Sequence, residues 1–255
     1  MSSIILYGPP GGGKTTLAST LCKIGYCLDV LDMDRKIRGM GNLHDLVEKG
    51  LIKVTEPTSK LLDTSLKIRV LGGMQGNRPK TQPKGYLELI DWINDLEENP
   101  PEDAYLTIPV IDSISRVLEH LMRLILHIQG KNIFTFDEYK FLKSNLEELF
   151  DSFFSLQPDI YPHCILICHD MVEKDETTGK IKVMPLIEGS FREKVGMYAS
   201  EMYYCTTEAD KQGTVEFIIQ TKPVGNIVQA RSSYGADTYL AADLSEIFPP
   251  APKRD

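Results

Sequence analysis

Gly8-Pro9-Pro10-Gly11-Gly12-Gly13-Lys14-Thr15 is the stretch of sequence that decides the fold. It matches the pattern G-x-x-x-x-G-K-[ST] at every fixed position, which is the signature of a phosphate-binding loop. The apolar run 4–7 precedes it, and a helical pattern over 15–24 that carries Leu17 and Leu21 follows it. A strand, a glycine-rich turn and a helix in this order are the context that the motif requires.

Each part of this loop has a chemical role in binding a nucleoside triphosphate. Glycines let the backbone wrap around phosphates, with its N–H groups and the start of the following helix facing the negative charge. The Lys14 ammonium is expected to reach the β- and γ-phosphates, and the Thr15 hydroxyl to bind Mg²⁺. The predicted nucleotide-binding residues are Gly8, Pro9, Pro10, Gly11, Gly12, Gly13, Lys14, Thr15 and Thr16.

An acidic residue at the end of another strand completes the predicted metal site. The apolar run 106–111 predicts a strand that ends in Asp112, where a carboxylate that holds Mg²⁺ through its water shell is expected. We therefore predict Thr15 and Asp112 as the metal-binding residues. A second interpretation stays open, because Asp112 or Ser113 can also cap the N-terminus of the helix that follows.

Hydrolysis also needs a group that positions or activates water, and two more strand ends offer one. Asp32 and Asp34 close a predicted strand over 26–31, and His169 follows a predicted strand over 164–168. The carboxyl ends of neighbouring parallel strands lie where ligands bind. Asp34 is the predicted base, with Asp32 as its competitor, and His169 is predicted to sense the γ-phosphate or orient the water. A solvated turn and a structural histidine remain the alternatives. The predicted catalytic residues are Lys14, Asp34, Asp112 and His169.

The rest of the chain alternates short apolar runs with amphipathic stretches, which is typical of βα units and a mostly parallel sheet. Helices are predicted over 43–49, 86–96, 115–128 and 137–156, and short strands over 105–111, 202–206, 215–221 and 227–230. The last three strands predict an antiparallel extension of the same sheet. We therefore expect an α/β fold in one domain over 1–248, with helices on both faces of the sheet and a flexible tail over 249–255.

The composition limits the function classes. The chain has 255 residues, with 36 acidic and 28 basic side chains and a formal net charge of −8, which argues against a protein that coats nucleic acid through a generally basic surface. The irregular stretch 51–85 differs, because 53–84 contains seven Lys and Arg against two Asp and Glu, and we interpret it as a basic surface excursion. Five cysteines without a Cys-x-x-Cys pair favour reduced thiols and a cytoplasmic protein. We expect neither a membrane span nor a signal peptide.

Together, the phosphate loop, the Asp112-Ser113 strand end and His169 give the chain a resemblance to the RecA-like ATPases. It is similar in particular to compact phage-encoded members of that group that act in recombination and single-strand annealing, over residues 2 to about 248. The resemblance puts Asp34, in Leu31-Asp32-Met33-Asp34, where the family has a catalytic glutamate, and His169 where it has a polar sensor. Aspartate is one methylene shorter than glutamate, which is a departure from the family pattern.

The resemblance implies a P-loop protein that binds and hydrolyses ATP with Mg²⁺ and acts on single-stranded DNA in recombination, repair or replication. It further implies a homo-oligomer, a single-strand DNA-binding protein as a partner, and the cytoplasm of a bacterial host if the chain is phage-encoded. Gln220-Thr221-Lys222 and Gln229-Ala230-Arg231 match strands that end many such chains, so the resemblance implies that Lys222 or Arg231 acts on the γ-phosphate of a neighbouring subunit. An ordinary surface charge is the alternative for each residue. Phe134 and Phe136 are candidates for stacking on DNA bases, although burial at the helix entry is the favoured interpretation.

Two other function classes stay open. In a small-molecule P-loop kinase, the acceptor would be bound by Asp32, Asp34, Arg35 and Arg38, and Arg192 would belong to a closing lid. In a nucleotide-switch protein, the chain would bind nucleotide without significant turnover.

Overall fold

The fold is that of a computed structural model, which describes residues 2–57, 83–131, 133–174, 176, 179–188, 191–209, 213–227 and 229–253. Most of the basic stretch predicted at 53–84 lies outside the described residues.

The described residues form nine strands. They are β1 (Ser2–Gly8), β2 (Cys27–Asp32), β3 (Ile52–Thr55), β4 (Thr107–Asp112), β5 (His163–Lys174), β6 (Ile181–Pro185), β7 (Glu201–Ala209), β8 (Val215–Gln220) and β9 (Tyr239–Ala241). Their order is β3-β2-β4-β5-β1-β7-β8-β9, and β6 pairs with the end of β5. The six strands β3, β2, β4, β5, β1 and β7, in their order across the sheet, pair parallel with one another. The strands β6, β8 and β9 pair antiparallel. The expected mostly parallel sheet with an antiparallel C-terminal extension is therefore confirmed.

Helices cover both faces of this sheet. They are α1 (Lys14–Ser19), which continues as a 3-10 helix (Thr20–Ile24), α2 (His44–Glu48), α3 (Gly85–Glu98), α4 (Ile114–Gln129), α5 (Phe136–Ser155) and α6 (Phe191–Lys194). Alternate residues of β1 belong to two separate apolar clusters, since Ile5 and Tyr7 lie with α3, α4 and α5 whereas Ile4 and Leu6 lie with α1. Period-2 alternation sends successive side chains to opposite faces, so a strand covered on both sides reads as a continuous apolar run.

Two parts of the sheet differ from the prediction. The stretch predicted to be irregular begins with β3, whose Ile52 is buried and pairs with Leu28 of β2. The strand predicted over 227–230 is wrong in its described part, where Ile227 makes an isolated bridge to Val183. Arg231, which lies just beyond that range, makes another isolated bridge, to Met202. The third C-terminal strand is β9 instead. The start of the tail packs on the body, since the Ala251 N–H donates to the carbonyl oxygen of Ile24 at 2.9 Å.

The register of the parallel strands brings the ends of β1, β2 and β4 to one edge, beside the middle of β5. The predicted end of that strand at residue 168 is wrong, because β5 continues to Lys174 and pairs there with β6. Asp32 at the end of β2 lies beside Asp112 at the end of β4, and Asp112 lies beside Ile167 of β5. His169 is the last residue of β5 that pairs with β1, where it lies beside Gly8. The phosphate loop, both acidic strand ends and His169 therefore share the carboxyl edge of the sheet.

Candidate nucleotide-binding site

The loop 8–15 leaves β1 in a conformation that glycine makes possible. A Cβ atom at Gly8 would collide with the carbonyl oxygen of Cys205 on β7, so a side chain at this position would push the loop off the sheet. Gly13 has a φ of 76° and lies against the ring of Phe217, so it combines a left-handed backbone with a close contact.

Lys14 lies folded over this loop. Its Nζ donates to the carbonyl oxygens of Gly8 and Pro9, both at 2.8 Å. The side chain is buried, and this burial lowers the pKa of the ammonium, whereas Asp112 raises it. The ammonium is therefore at the mouth of the loop, with loop carbonyls as its partners.

A short hydrogen bond joins the loop to the end of β4. The Thr15 hydroxyl donates to Oδ2 of Asp112 at 2.6 Å. Burial raises the pKa of Asp112 to about 6, with Asp32 and Asp34 acting in the same direction and the Thr15 hydrogen bond opposing them. Ser113 is the N-cap residue of α4, but its side chain makes no capping hydrogen bond and donates to Asp34.

The structure separates the two acidic residues that follow β2. Asp32 is buried, and its Oδ2 accepts the backbone N–H groups of Lys36 and Ile37, both at 2.7 Å. Asp32 therefore holds the turn after β2. The Asp34 side chain is 12 % exposed and bonds side chains at the strand edge. This arrangement leaves Asp34 as the better candidate for the base.

Sequence reasoning missed the cations that contact Asp34. Nε of Arg116, in the first turn of α4, lies 3.1 Å from Oδ1 of Asp34, and Nζ of Lys36 lies 3.6 Å from Oδ2. The one available signal was position, because Arg116 lies in the first turn of the helix that follows Asp112.

His169 lies between the strand of the phosphate loop and the strand of Asp112. Its backbone N–H donates to Oγ of Ser115 at 3.0 Å, and its Nδ1 is buried without a hydrogen-bond partner among the described residues. Burial lowers the pKa of the imidazole, and Lys14 contributes in the same direction. This lowered pKa favours the neutral form of the ring.

Lys222 and Arg231 are exposed and make no hydrogen bond or ion pair with the described residues of the loop. The Arg231 guanidinium donates to the carbonyl oxygen of Gly196. Lys222 lies two residues beyond Gln220, which pairs with Tyr204 of β7. Neither cation is therefore bonded to the described residues of its own loop.

The donors at this edge fit Mg²⁺ that arrives with a nucleotide. Within the described ranges, no group of three or more His, Cys, Asp or Glu side chains could hold a metal alone. Protein sites for Mg²⁺ commonly supply one or two oxygen ligands and leave the rest to phosphates and water. Thr15 and Asp112 are such a pair, and a buried Oδ1 of Asp32 without a hydrogen-bond partner adds a further oxygen close to Asp112.

A second surface lies where α4 and α5 meet. Side chains that are more than half exposed there are Ile128, Ile133, Phe136 and Phe141. Nζ of Lys140 lies 5.0 Å from the centre of the Phe136 ring, and a groove of about 650 Å³ runs beside it, lined by Gln129, Lys131, Asp137, Lys140, Phe141 and Ser144. The predicted burial of Phe136 is wrong, because its side chain is 76 % exposed. Phe134 is partly buried and packs edge-to-face on Tyr139.

No protein-family model matches the chain, and a comparison with curated proteins found no match either. Among the helices of the described ranges, none combines the length and the apolar character that crossing a membrane requires.

Proposed function

We propose that the chain is a Mg²⁺-dependent ATPase of RecA-like fold that acts on single-stranded DNA. The observation that carries the proposal is the 2.6 Å hydrogen bond from Thr15 to Asp112, because it joins a complete phosphate-loop motif to an acidic strand end. The strand order adds support: β5, which ends its parallel pairing at His169, lies between β1 and β4. A sensor on that strand would face both the phosphates and the metal site.

Binding of ATP begins with an exchange of partners at Lys14. The ammonium leaves the carbonyl oxygens of Gly8 and Pro9 and bonds the β- and γ-phosphates, while the backbone N–H groups of the loop hold the phosphate oxygens. The Thr15 hydroxyl leaves Asp112 in the same step, so that both side chains are free to act as oxygen ligands. When bound, Mg²⁺ supplies charge neutralisation for the β- and γ-phosphates.

Asp34 then acts as the base in hydrolysis. Its carboxylate accepts a proton from a water molecule as the water oxygen forms a bond to the γ-phosphorus. The bond between the γ-phosphorus and the bridging oxygen breaks, its electron pair stays on ADP, and inorganic phosphate leaves. His169 donates or accepts a hydrogen bond at the γ-phosphate or at the water.

The surface between α4 and α5 supports the DNA part of the proposal. Phe136 and Phe141 expose aromatic faces on which bases can stack, and Lys131 and Lys140 line the groove beside them, where they can bind the phosphates between the bases. This combination does not depend on base sequence. We assign contacts between subunits of a homo-oligomer to Lys222 and Arg231, in line with their exposure and with the lack of a bond between them and the described residues of their own loop.

Phosphate release from ATP and from GTP tests the proposal, with and without single-stranded DNA. We expect hydrolysis of ATP that DNA stimulates and that Lys14→Ala abolishes. Lys23→Ala is the matched control, since Lys23 lies in the same helical segment but pairs with Asp243 at the surface. Undiminished ATP hydrolysis by Lys14→Ala contradicts the proposed nucleotide-binding site. If DNA does not change the rate of hydrolysis at any salt concentration tested, the proposed action on DNA is contradicted. Phosphate transfer to a nucleoside without DNA favours a kinase.

A further inference from the structure

The carboxylate of Asp34 is held by groups from two elements. Nε of Arg116 lies 3.1 Å from Oδ1, and the hydroxyl of Ser113 donates to Oδ2 at 3.3 Å. Lys36, on the turn after β2, lies 3.6 Å from the same Oδ2. Arg116 is thus the partner of one carboxylate oxygen, while the other oxygen has two partners.

Arg116 is itself fixed in direction. Its Nη1 donates to Oε2 of Glu119 at 2.6 Å, so the two sides of the guanidinium have different carboxylate partners. A planar guanidinium with two fixed contacts holds its partner in one orientation, which the flexible ammonium of lysine does less well. The side chain is one-third exposed, so the pair is also partly shielded from solvent.

The first turn of α4 contacts both groups proposed to handle water. Ser115 accepts the backbone N–H of His169 at 3.0 Å, and its neighbour Arg116 pairs with Asp34. This turn directly follows Asp112. The relative positions of the base, the sensor and the metal site are therefore set by one short segment, 112–116.

We propose that Arg116 is a positioning residue that orients Asp34 toward the attacking water. The inference rests on the proposed ATPase function. Arg116 acts through Asp34 and does not touch the nucleotide, so its loss lowers the rate of the chemical step and leaves nucleotide binding intact. A displacement of about 1 Å at a catalytic group can cost about 100-fold in rate.

Steady-state hydrolysis and nucleotide affinity measured on the full chain test this inference. For Arg116→Ala we expect kcat to fall at least about tenfold, while KM and the affinity for a fluorescent ATP analogue stay within about twofold. Arg116→Lys should recover part of the rate, because an ammonium can pair with one carboxylate oxygen. Lys143→Ala is the control for the loss of a helix-surface cation, since Lys143 pairs with Glu147 on α5, and it should keep the wild-type rate without DNA.

The double variant Asp34→Asn with Arg116→Ala separates the roles. If Arg116 acts through Asp34, adding Arg116→Ala to Asp34→Asn causes no further loss of kcat. The inference is overturned if the two substitutions lower kcat by factors that multiply in the double variant. It is also overturned if Arg116→Ala has an unchanged or higher kcat, or if its nucleotide affinity is weakened. The thermal unfolding midpoint of each variant shows whether a lower kcat results from unfolding. If Arg116→Ala is unfolded, kcat of Arg116→Lys is compared with that of the wild type instead. If the wild type hydrolyses ATP no faster than Lys14→Ala, the proposed function fails, and this inference fails with it; normal wild-type turnover beside a fully active Arg116→Ala overturns the inference alone.

Discussion

Three aspartates lie at one edge of the sheet, and their surroundings assign them different tasks. Asp32 is satisfied on one oxygen by two backbone N–H groups, which is the bonding of a residue that holds a turn. Asp112 bonds the Thr15 hydroxyl, and Asp34 bonds side-chain cations. Burial is the main cause of the raised pKa of Asp112, and repulsion by Asp32 and Asp34 adds to it, whereas Asp34 has cations as its partners.

The raised pKa of Asp112 predicts that this residue lowers the stability of the nucleotide-free chain at neutral pH. An unfolded aspartate has a pKa of about 3.9, whereas burial raises that of Asp112 to about 6 in the folded chain. The folded state therefore holds the proton more tightly, and the free energy of unfolding falls as pH rises from about 4 to about 6. Above about pH 6 this decrease in the free energy of unfolding is complete, and it amounts to at most about 3 kcal/mol.

We therefore expect Asp112→Asn to melt a few degrees above the wild type at pH 7.5 without nucleotide and at the same temperature below pH 4. The amide oxygen can still accept the Thr15 hydroxyl, but Mg²⁺ with ATP should no longer raise the melting temperature. Thermal unfolding at both pH values checks this, with the exposed Asp159→Asn as a control. A variant that melts below the wild type at pH 7.5 contradicts the prediction.

At the scale of elements, the sequence predicts those whose pattern reflects burial. The predicted helices 86–96, 115–128 and 137–156 agree with α3, α4 and α5 to within two residues at each end, because a buried helix face repeats its apolar residues with the helical period. β3 and β9 lie at the two sheet edges and bury few side chains, so they leave little periodic signal.

Contacts between distant segments are the part that pattern cannot supply. The motif predicts Lys14 and Thr15, and the apolar runs before Asp112 and His169 predict that both lie at this edge of the sheet, because local sequence and parallel topology suffice for this. The pair of Asp34 and Arg116 joins residues 82 positions apart. Its formation depends on the register of β2 against β4 and on the direction of α4, which appear only in the folded chain.

The hairpin of α4 and α5 supplies a test at this scale. Base stacking on an aromatic side chain contributes about 1–3 kcal/mol per base, so Phe136→Ala and Phe141→Ala should each weaken binding of single-stranded DNA at least about fivefold. The salt dependence should stay unchanged for these two, whereas Lys140→Gln should lower the salt slope by about 0.7. Fluorescence anisotropy over a salt series measures both quantities. Met197→Ala, which removes an 80 % exposed apolar side chain elsewhere, is the control, and equal affinities for all variants contradict the assignment.

At the scale of the whole molecule, the net charge limits the proposed DNA binding to local contacts. A chain with a net charge of −8 repels a phosphate backbone at long range. Lys222 and Arg231, the exposed cations assigned to contacts between subunits, make no hydrogen bond or ion pair with the described residues of their own loop. Both observations favour an assembly, in which repeated weak DNA contacts add up and a cation of one subunit completes the site of the next.

Mixing inactive variants tests whether the site is shared between subunits. Lys14→Ala lacks a working loop but keeps Lys222, while Lys222→Ala keeps the loop but lacks the cation; each alone should hydrolyse ATP poorly. In a head-to-tail assembly of equal amounts, about one interface in four joins an intact loop to an intact Lys222, so the mixture should recover about a quarter of the wild-type rate. The same experiment with Arg231→Ala decides which cation acts. If neither mixture is more active than its components, neither residue works across an interface. If Lys222→Ala and Arg231→Ala are both fully active by themselves, neither cation is needed.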